Sequence, residues 1–170
     1  FEGVSEWFAH INAFGEGLRL SLDHYVISSG LHEMIAGCPI YPAFKQVYAS
    51  RYLYDEAGQA NWPAVAINYT TKTQFLFRIN KGIDSTWDNR SINEYVGPDQ
   101  RPLPFQRMIF IGDGETDVPA MKMVRYHGGY AVAVFDPEKF AQNQSTLHKP
   151  ISADRCKYVA PADYRKASQL

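Results

Sequence analysis

Four apolar residues, Met108-Ile109-Phe110-Ile111, run directly into Gly112-Asp113-Gly114-Glu115-Thr116-Asp117, and a helix-forming stretch, Val118–Arg125, follows at once. A short apolar run closed by glycine is the pattern of a buried strand, predicted over Arg107–Ile111, and a helix straight after it is the start of a crossover. The order repeats. Gly128-Gly129 breaks the chain, Tyr130–Val134 reads as a strand, Pro137–Leu147 as a helix and Lys157–Ala160 as a last short strand. Strand–loop–helix units in series predict a parallel sheet with helices on both faces, and in such a sheet ligands bind beyond the carboxyl ends of the strands.

The first half of the chain supplies further pieces. Val4, Trp7, Phe8, Ile11, Phe14 and Leu18 recur at three- and four-residue intervals, so the spacing predicts an amphipathic helix over Glu2–Leu20, weakened near its end by Gly15 and Gly17. His24–Ile27 is rich in strand formers and ends at Ser28-Ser29-Gly30, which reads as a tight loop before a short helix, Leu31–Ala36, stopped by Gly37 and Pro39. Period-two patterning then predicts strands over Val47–Tyr54 and Ala64–Asn68, joined through Asp55–Gly58. Thr70–Ile79 reads as a helix that Thr70 or Thr71 could cap, and the polar stretch Asp84–Pro104 as a surface segment with one short helix.

Composition narrows the partners. The chain has 170 residues, 45% of them hydrophobic and 21% charged, with a formal net charge of −1. Those figures fit one soluble domain and give no electrostatic reason to expect nucleic acid. No apolar run is long enough to span a bilayer, and Phe1–Phe14 lacks the basic start of a secretory signal, which points to the cytoplasm. Cys38 and Cys156 stand alone and are expected to be two buried free thiols in a reducing compartment. Phe1 has no initiator methionine before it and enters a helical pattern directly, so the sequence reads as a piece of a longer protein.

Three carboxylates within five residues, at Asp113, Glu115 and Asp117, repel one another at a strand end, and a hard divalent cation such as Mg²⁺ would relieve that repulsion with the oxygen ligands it prefers. A helix cap would need one acid only. A Ca²⁺ loop of the EF-hand type would need glycine where Val118 stands. Ser28-Ser29-Gly30 offers a hydroxyl and backbone N–H groups to an anion, although serine before a helix is more often a plain cap. Lys81, in Asn80-Lys81-Gly82, is an ordinary surface lysine unless it belongs with those two loops. The five histidines have no metal-ligand spacing.

These three segments, in this order, resemble the second, third and fourth motifs of haloacid-dehalogenase (HAD) superfamily hydrolases, closest to the phosphoserine-phosphatase-like members. Tyr25–Gly30 matches the Ser/Thr-terminated strand, Asn80-Lys81-Gly82 the lysine, and Ile109–Asp117 the acidic Gly-Asp-x-x-x-Asp. The resemblance covers Tyr25–Ala160 and implies a three-layer α/β/α, Rossmann-like core with a parallel sheet, residues 23–170, entered by a helix over residues 1–22. It implies that Ser28, Ser29, Gly30 and Lys81 bind a phosphoryl group, that Asp113 binds Mg²⁺ directly while Asp117 binds it through water or holds Lys81 in place, and that Ser28, Lys81, Asp113 and Asp117 serve a phosphomonoester hydrolase acting on a small phosphorylated metabolite through an aspartyl-phosphate. One motif is missing. None of the ten aspartates has another two positions away, so the Asp-x-Asp that carries the nucleophile, on the first strand of such proteins, is expected in an N-terminal segment of the same protein outside these residues. A phosphotransferase, or a non-catalytic binding module that has lost its first motif, is the alternative.

Overall fold

A computed structural model describes residues 1–113, 115–139 and 156–170 and divides the chain into two compact units, Phe1–Asn68 with Asp163–Leu170, and Tyr69–Ala162. The fold is α/β with parallel strands in each unit. No helix among the described residues is long and apolar enough to cross a membrane.

In the first unit α1 spans Val4–Gly17, inside the predicted range, and packs an aromatic face. Trp7 meets Tyr164 edge-on at 5.8 Å, and Phe8 meets Phe44 in the same way at 5.3 Å. Gly3, with φ of 79°, starts this helix under the last turn of the chain, where a Cβ would lie 2.5 Å from the Tyr164 carbonyl carbon, so only glycine fits. Arg165 bridges Glu2 at 2.9 Å and Asp163 at 2.6 Å, and the guanidinium holds the Asp163 carboxyl down at about 2. Strand β1, Tyr25–Leu31, runs parallel to β2, Gln46–Tyr54, and β2 turns back antiparallel into β3, Ala60–Val65. The hairpin turn is drawn by Asp55, whose carboxylate accepts from the amides of Ala57 and Gln59. β3 begins four residues earlier than the alternation predicts, because the pairing of Tyr54 with Ala60 extends the hairpin through Trp62 and Pro63. Pro63 is tolerated since β3 lies at the margin of its sheet.

His24, just before β1, tests how tightly α1 is held. Its Nε2 lies 2.8 Å from Oδ1 of Asn12 and its ring meets Phe8 edge-on at 5.0 Å. Burial lowers its pKa more than the Asp23 charge raises it. The fold thus favours the neutral ring. That contribution is whole above the unfolded value of 6.5 and is lost as pH falls through the depressed folded value. An NMR titration of the His24 ring should give a midpoint below 6.5, and a midpoint at or above it would show that α1 does not desolvate the ring.

In the second unit β4 (Ile109–Gly112), β5 (Tyr130–Phe135) and β6 (Tyr158–Pro161) form a wholly parallel sheet in that order. β5, between two neighbours, is the most buried, and Ala131 and Ala133 pack with Met121 and Cys156, against which Phe110 and Val159 rest. Ile109 is 66% exposed, contrary to the buried strand expected over Arg107–Ile111, because β4 is hydrogen-bonded on one side only among the described residues. Among the described residues, strand β1 of the first unit is bonded on one side only, to β2. Cys156 is buried and free, and desolvation pushes its thiol up; Cys38, expected to be buried, is exposed at the end of the five-residue helix α2, His32–Ala36.

Helix α3, Lys72–Lys81, is the predicted helix displaced two residues toward the C-terminus, and its N-cap residue, Thr71, makes no side-chain capping hydrogen bond. Gly82 ends it at φ 69°, with Ile83 N–H reaching back to the Arg78 carbonyl. The polar residues of α3 explain why Asp84–Pro104 is ordered despite its composition. Arg78, 2% exposed, donates to the carbonyls of Ser85 and Asp88, and Asn80 donates to that of Leu103. Two short 3₁₀ turns, Ser91–Asn93 and Pro98–Gln100, stand where one helix was expected. Helix α4 spans Val118–Tyr126. The helix expected over Pro137–Leu147 lies outside the described residues from 140 on, and Pro137–Lys139 is a 3₁₀ turn.

Candidate functional site

The acidic loop leaves the carboxyl end of β4. Asp113 is exposed there, and the 3₁₀ turn Glu115–Asp117 leads into α4, whose second residue, Pro119, needs no hydrogen-bond partner for its nitrogen. Asp117 occupies the N-cap position of α4, yet its side chain makes no capping hydrogen bond. The carboxylate instead accepts from Lys72 Nζ, the two being 2.6 Å apart, and each residue is 6% exposed. The backbone makes room for this pair at Gly112, where a Cβ would lie 2.7 Å from Asp117 Oδ2. Two opposite charges so far from water persist only because each has the other: desolvating either alone costs several kcal/mol, roughly, per ion.

Lys72 went unnoticed in the sequence, although a signal was present. Lys72, Phe75, Leu76 and Ile79 stand at i, i+3, i+4 and i+7, so a lysine opens the apolar stripe of α3 and is carried inward with it. Lys81 lies nine residues farther, about 13 Å along the helix axis. Its ammonium donates to the carbonyls of Ile92 at 2.7 Å and Glu94 at 2.6 Å, fastening the 91–94 turn. Of the two lysines, the one brought to the acidic loop is therefore Lys72, and the pairing of Asp117 with Lys81 expected from the motif order is replaced by a pairing with Lys72.

Ser28, Ser29 and Gly30 belong to the first compact unit, and Lys72, Lys81, Asp113 and Asp117 to the second. The expected tight loop is in fact extended. β1 continues through Leu31, with its register to β2 shifting between Ser28, opposite Ala49, and Leu31, opposite Ser50. This bulge turns the backbone locally. Ser28 Oγ accepts from Gly30 N–H at 3.0 Å, while Ser50 Oγ donates to the Ser29 carbonyl at 3.1 Å and accepts from Ile67 N–H at 3.0 Å. Helix α2 starts only at His32, with Leu31 as an N-cap that has no side-chain hydrogen bond, so no serine caps it. The Ser28 hydroxyl and the Gly30 amide are thus bonded to each other within the bulge of β1.

Among the described residues no three His, Cys, Asp or Glu side chains gather as a metal cage. The acidic loop offers two described carboxylates, Asp113 and Asp117, both hard oxygen donors. No known protein family matches the chain, and no solved structure matches it. An uncharacterized protein of Borreliella burgdorferi (strain ATCC 35210 / DSM 4680 / CIP 102532 / B31) is 29% identical over 190 aligned positions, which take in the whole of this chain. The chain spans 63% of that relative's length.

Proposed function

We propose that this chain forms most of the three-layer, HAD-like core of a Mg²⁺-dependent phosphomonoester hydrolase acting on a small phosphorylated metabolite in the cytoplasm, and that Lys72 takes the role the sequence assigned to Lys81. The observation that carries this reading is the buried Lys72–Asp117 pair beneath an acidic loop at the carboxyl end of a parallel strand. A lysine sunk in the apolar face of a helix and fixed by a carboxylate is a costly arrangement, of the kind retained where a positive charge is needed at a fixed point.

In this reading Asp113, the exposed carboxylate at the strand end, is the direct ligand of the cation. Asp117 orients Lys72 and adds negative charge close by. Mg²⁺, when bound, neutralises charge on the phosphoryl oxygens. Lys72 directs its ammonium toward the nucleophile and the transferring group. Ser28 turns its hydroxyl to a phosphoryl oxygen, with the amide of Ser29 beside it. Charge gathers on the equatorial oxygens as phosphoryl transfer proceeds, so fixed positive charge and hydrogen-bond donors supply most of the acceleration. The nucleophile comes from residues outside these 170, since no Asp-x-Asp occurs here. Water then hydrolyses the aspartyl-phosphate.

The test uses the full-length protein with p-nitrophenyl phosphate. Phosphate release should require Mg²⁺, stop with EDTA, resume when Mg²⁺ is restored, and fall at least about 100-fold in Asp113→Ala. Undiminished turnover in Asp113→Ala, or turnover indifferent to EDTA, overturns the metal assignment. Absence of any turnover leaves the non-catalytic module as the better reading.

A further inference from the structure

Helix α1 uses two faces. Phe8 and Asn12 turn to His24 and Phe44. Trp7, His10, Ile11 and Phe14, at i, i+3, i+4 and i+7, form the other face, and together with residues 164–168 they line a recess of about 190 Å³ that lies wholly within the first unit. The 164–168 segment is fixed in shape. Tyr164 N–H donates to the Glu2 carbonyl at 3.0 Å, Ser168 N–H donates to the Arg165 carbonyl at 3.1 Å, and the Arg165 guanidinium is bound to Glu2 and Asp163. Within this segment Ala167 stands at φ 68°, a left-handed conformation that a residue with a Cβ rarely adopts. Backbone held in such a conformation gathers at ligand sites. Phe14, although it belongs to the lining, is 65% exposed.

Size and charge specify the occupant. An apolar cavity of about 150 Å³ takes one benzene ring. The recess, at about 190 Å³, therefore holds such a ring with one small substituent. Trp7, Ile11 and Phe14 give the ring apolar and aromatic surface. The substituent is set by the cations of the lining. Arg165 is already neutralised by its two carboxylates, whereas Lys166 is exposed and makes no ion pair among the described residues. A free ammonium beside an apolar recess favours an anionic group, and Ser168, also in the lining, adds a hydroxyl donor. We propose that this recess is a binding site for a small aromatic carboxylate, its ring against the Trp7–Phe14 face of α1 and its carboxylate at Lys166. The inference is independent of the phosphatase reading. The competing explanation is a packing gap that takes up any apolar solute.

The experiment titrates benzoate, benzamide and acetate into the full-length protein, above the ordinary titration range of histidine so that His10 is neutral, and follows the Trp7 indole N–H by proton–nitrogen correlation NMR. Benzoate should shift that signal with a Kd of about 0.1–1 mM, the range open to a ligand of its size. Benzamide, the same ring without the charge, should bind about three- to fivefold more weakly, as for the loss of an exposed ion pair. Acetate, the charge without the ring, should leave the signal unmoved at the same concentrations. Lys166→Met, a change at an exposed position, should bring benzoate to the affinity of benzamide and leave benzamide as it was. A Trp7 signal that benzoate does not move overturns the site, whether the recess is a gap or is filled by another segment of the protein. Equal affinities for benzoate and benzamide in the wild type, or a benzoate affinity unchanged in Lys166→Met, overturn the carboxylate class and leave the packing gap. Turnover of p-nitrophenyl phosphate decides the phosphatase reading separately.

Discussion

Replacing Asp117 with alanine is expected to lower the unfolding free energy by about 3–5 kcal/mol, the cost of leaving a buried ammonium without its counter-charge. Lys72 Nζ is 2.6 Å from Asp117 Oδ1, and both side chains are 8% exposed, too little for water to replace the carboxylate. Lys72 opens the face of α3 that also carries Phe75, Leu76 and Ile79, so the stem cannot swing to solvent without pulling the first turn of that face from its packing. The partner variant shows whether the pair itself stabilises the fold. Lys72→Met with Asp117→Leu removes both charges and fills similar volumes, and should recover most of the loss, since apolar substitutes for buried pairs are often neutral or stabilising. Urea denaturation of the three proteins measures this. A loss below about 1 kcal/mol in Asp117→Ala would mean that the ammonium behaves as a surface charge.

Such a pair is hard to see in a sequence, and the reason is physical. The strand–loop–helix around Ile109–Tyr126 was legible because three local signals agree there: an apolar run, glycine at its end, and a proline in the first turn of the helix. Lys81 drew attention because Asn80-Lys81-Gly82 stands between the serine and acidic segments in the order of the resembled motifs, which is a property of the chain alone. Lys72 required the helix phase. Only when 75, 76 and 79 are known to face inward does residue 72 become a buried cation, and two residues' uncertainty in the start of α3 is enough to hide it. Ser28 shows the opposite difficulty. Serine, serine and glycine before a helix read as a loop, yet pairing with β2 keeps the segment extended as far as Leu31, and that pairing depends on a strand some twenty residues away.

The largest effect on activity should separate the two lysines. In the full-length protein, Lys72→Met is expected to lower kcat on p-nitrophenyl phosphate by about 10²–10³-fold, the size of a lost transition-state charge contact. Lys81→Met should stay within about threefold of the wild type, because the Lys81 ammonium is already spent on the carbonyls of Ile92 and Glu94. What Lys81→Met loses is a fastening of the 91–94 turn, about 1–2 kcal/mol of stability, with no change in the Mg²⁺ dependence of the rate. Loss of fold cannot imitate the first result if the urea midpoint of Lys72→Met is followed alongside it. The pairing with Asp117 supplies a second check, for Asp117→Asn keeps a hydrogen-bond acceptor near the ammonium and should retain more activity than Lys72→Met, which has no positive charge to place. Should Lys81→Met prove as damaging to kcat as Lys72→Met, the ammonium that faces the phosphoryl group would be Lys81, and the buried pair at the foot of α4 would be a structural contact only.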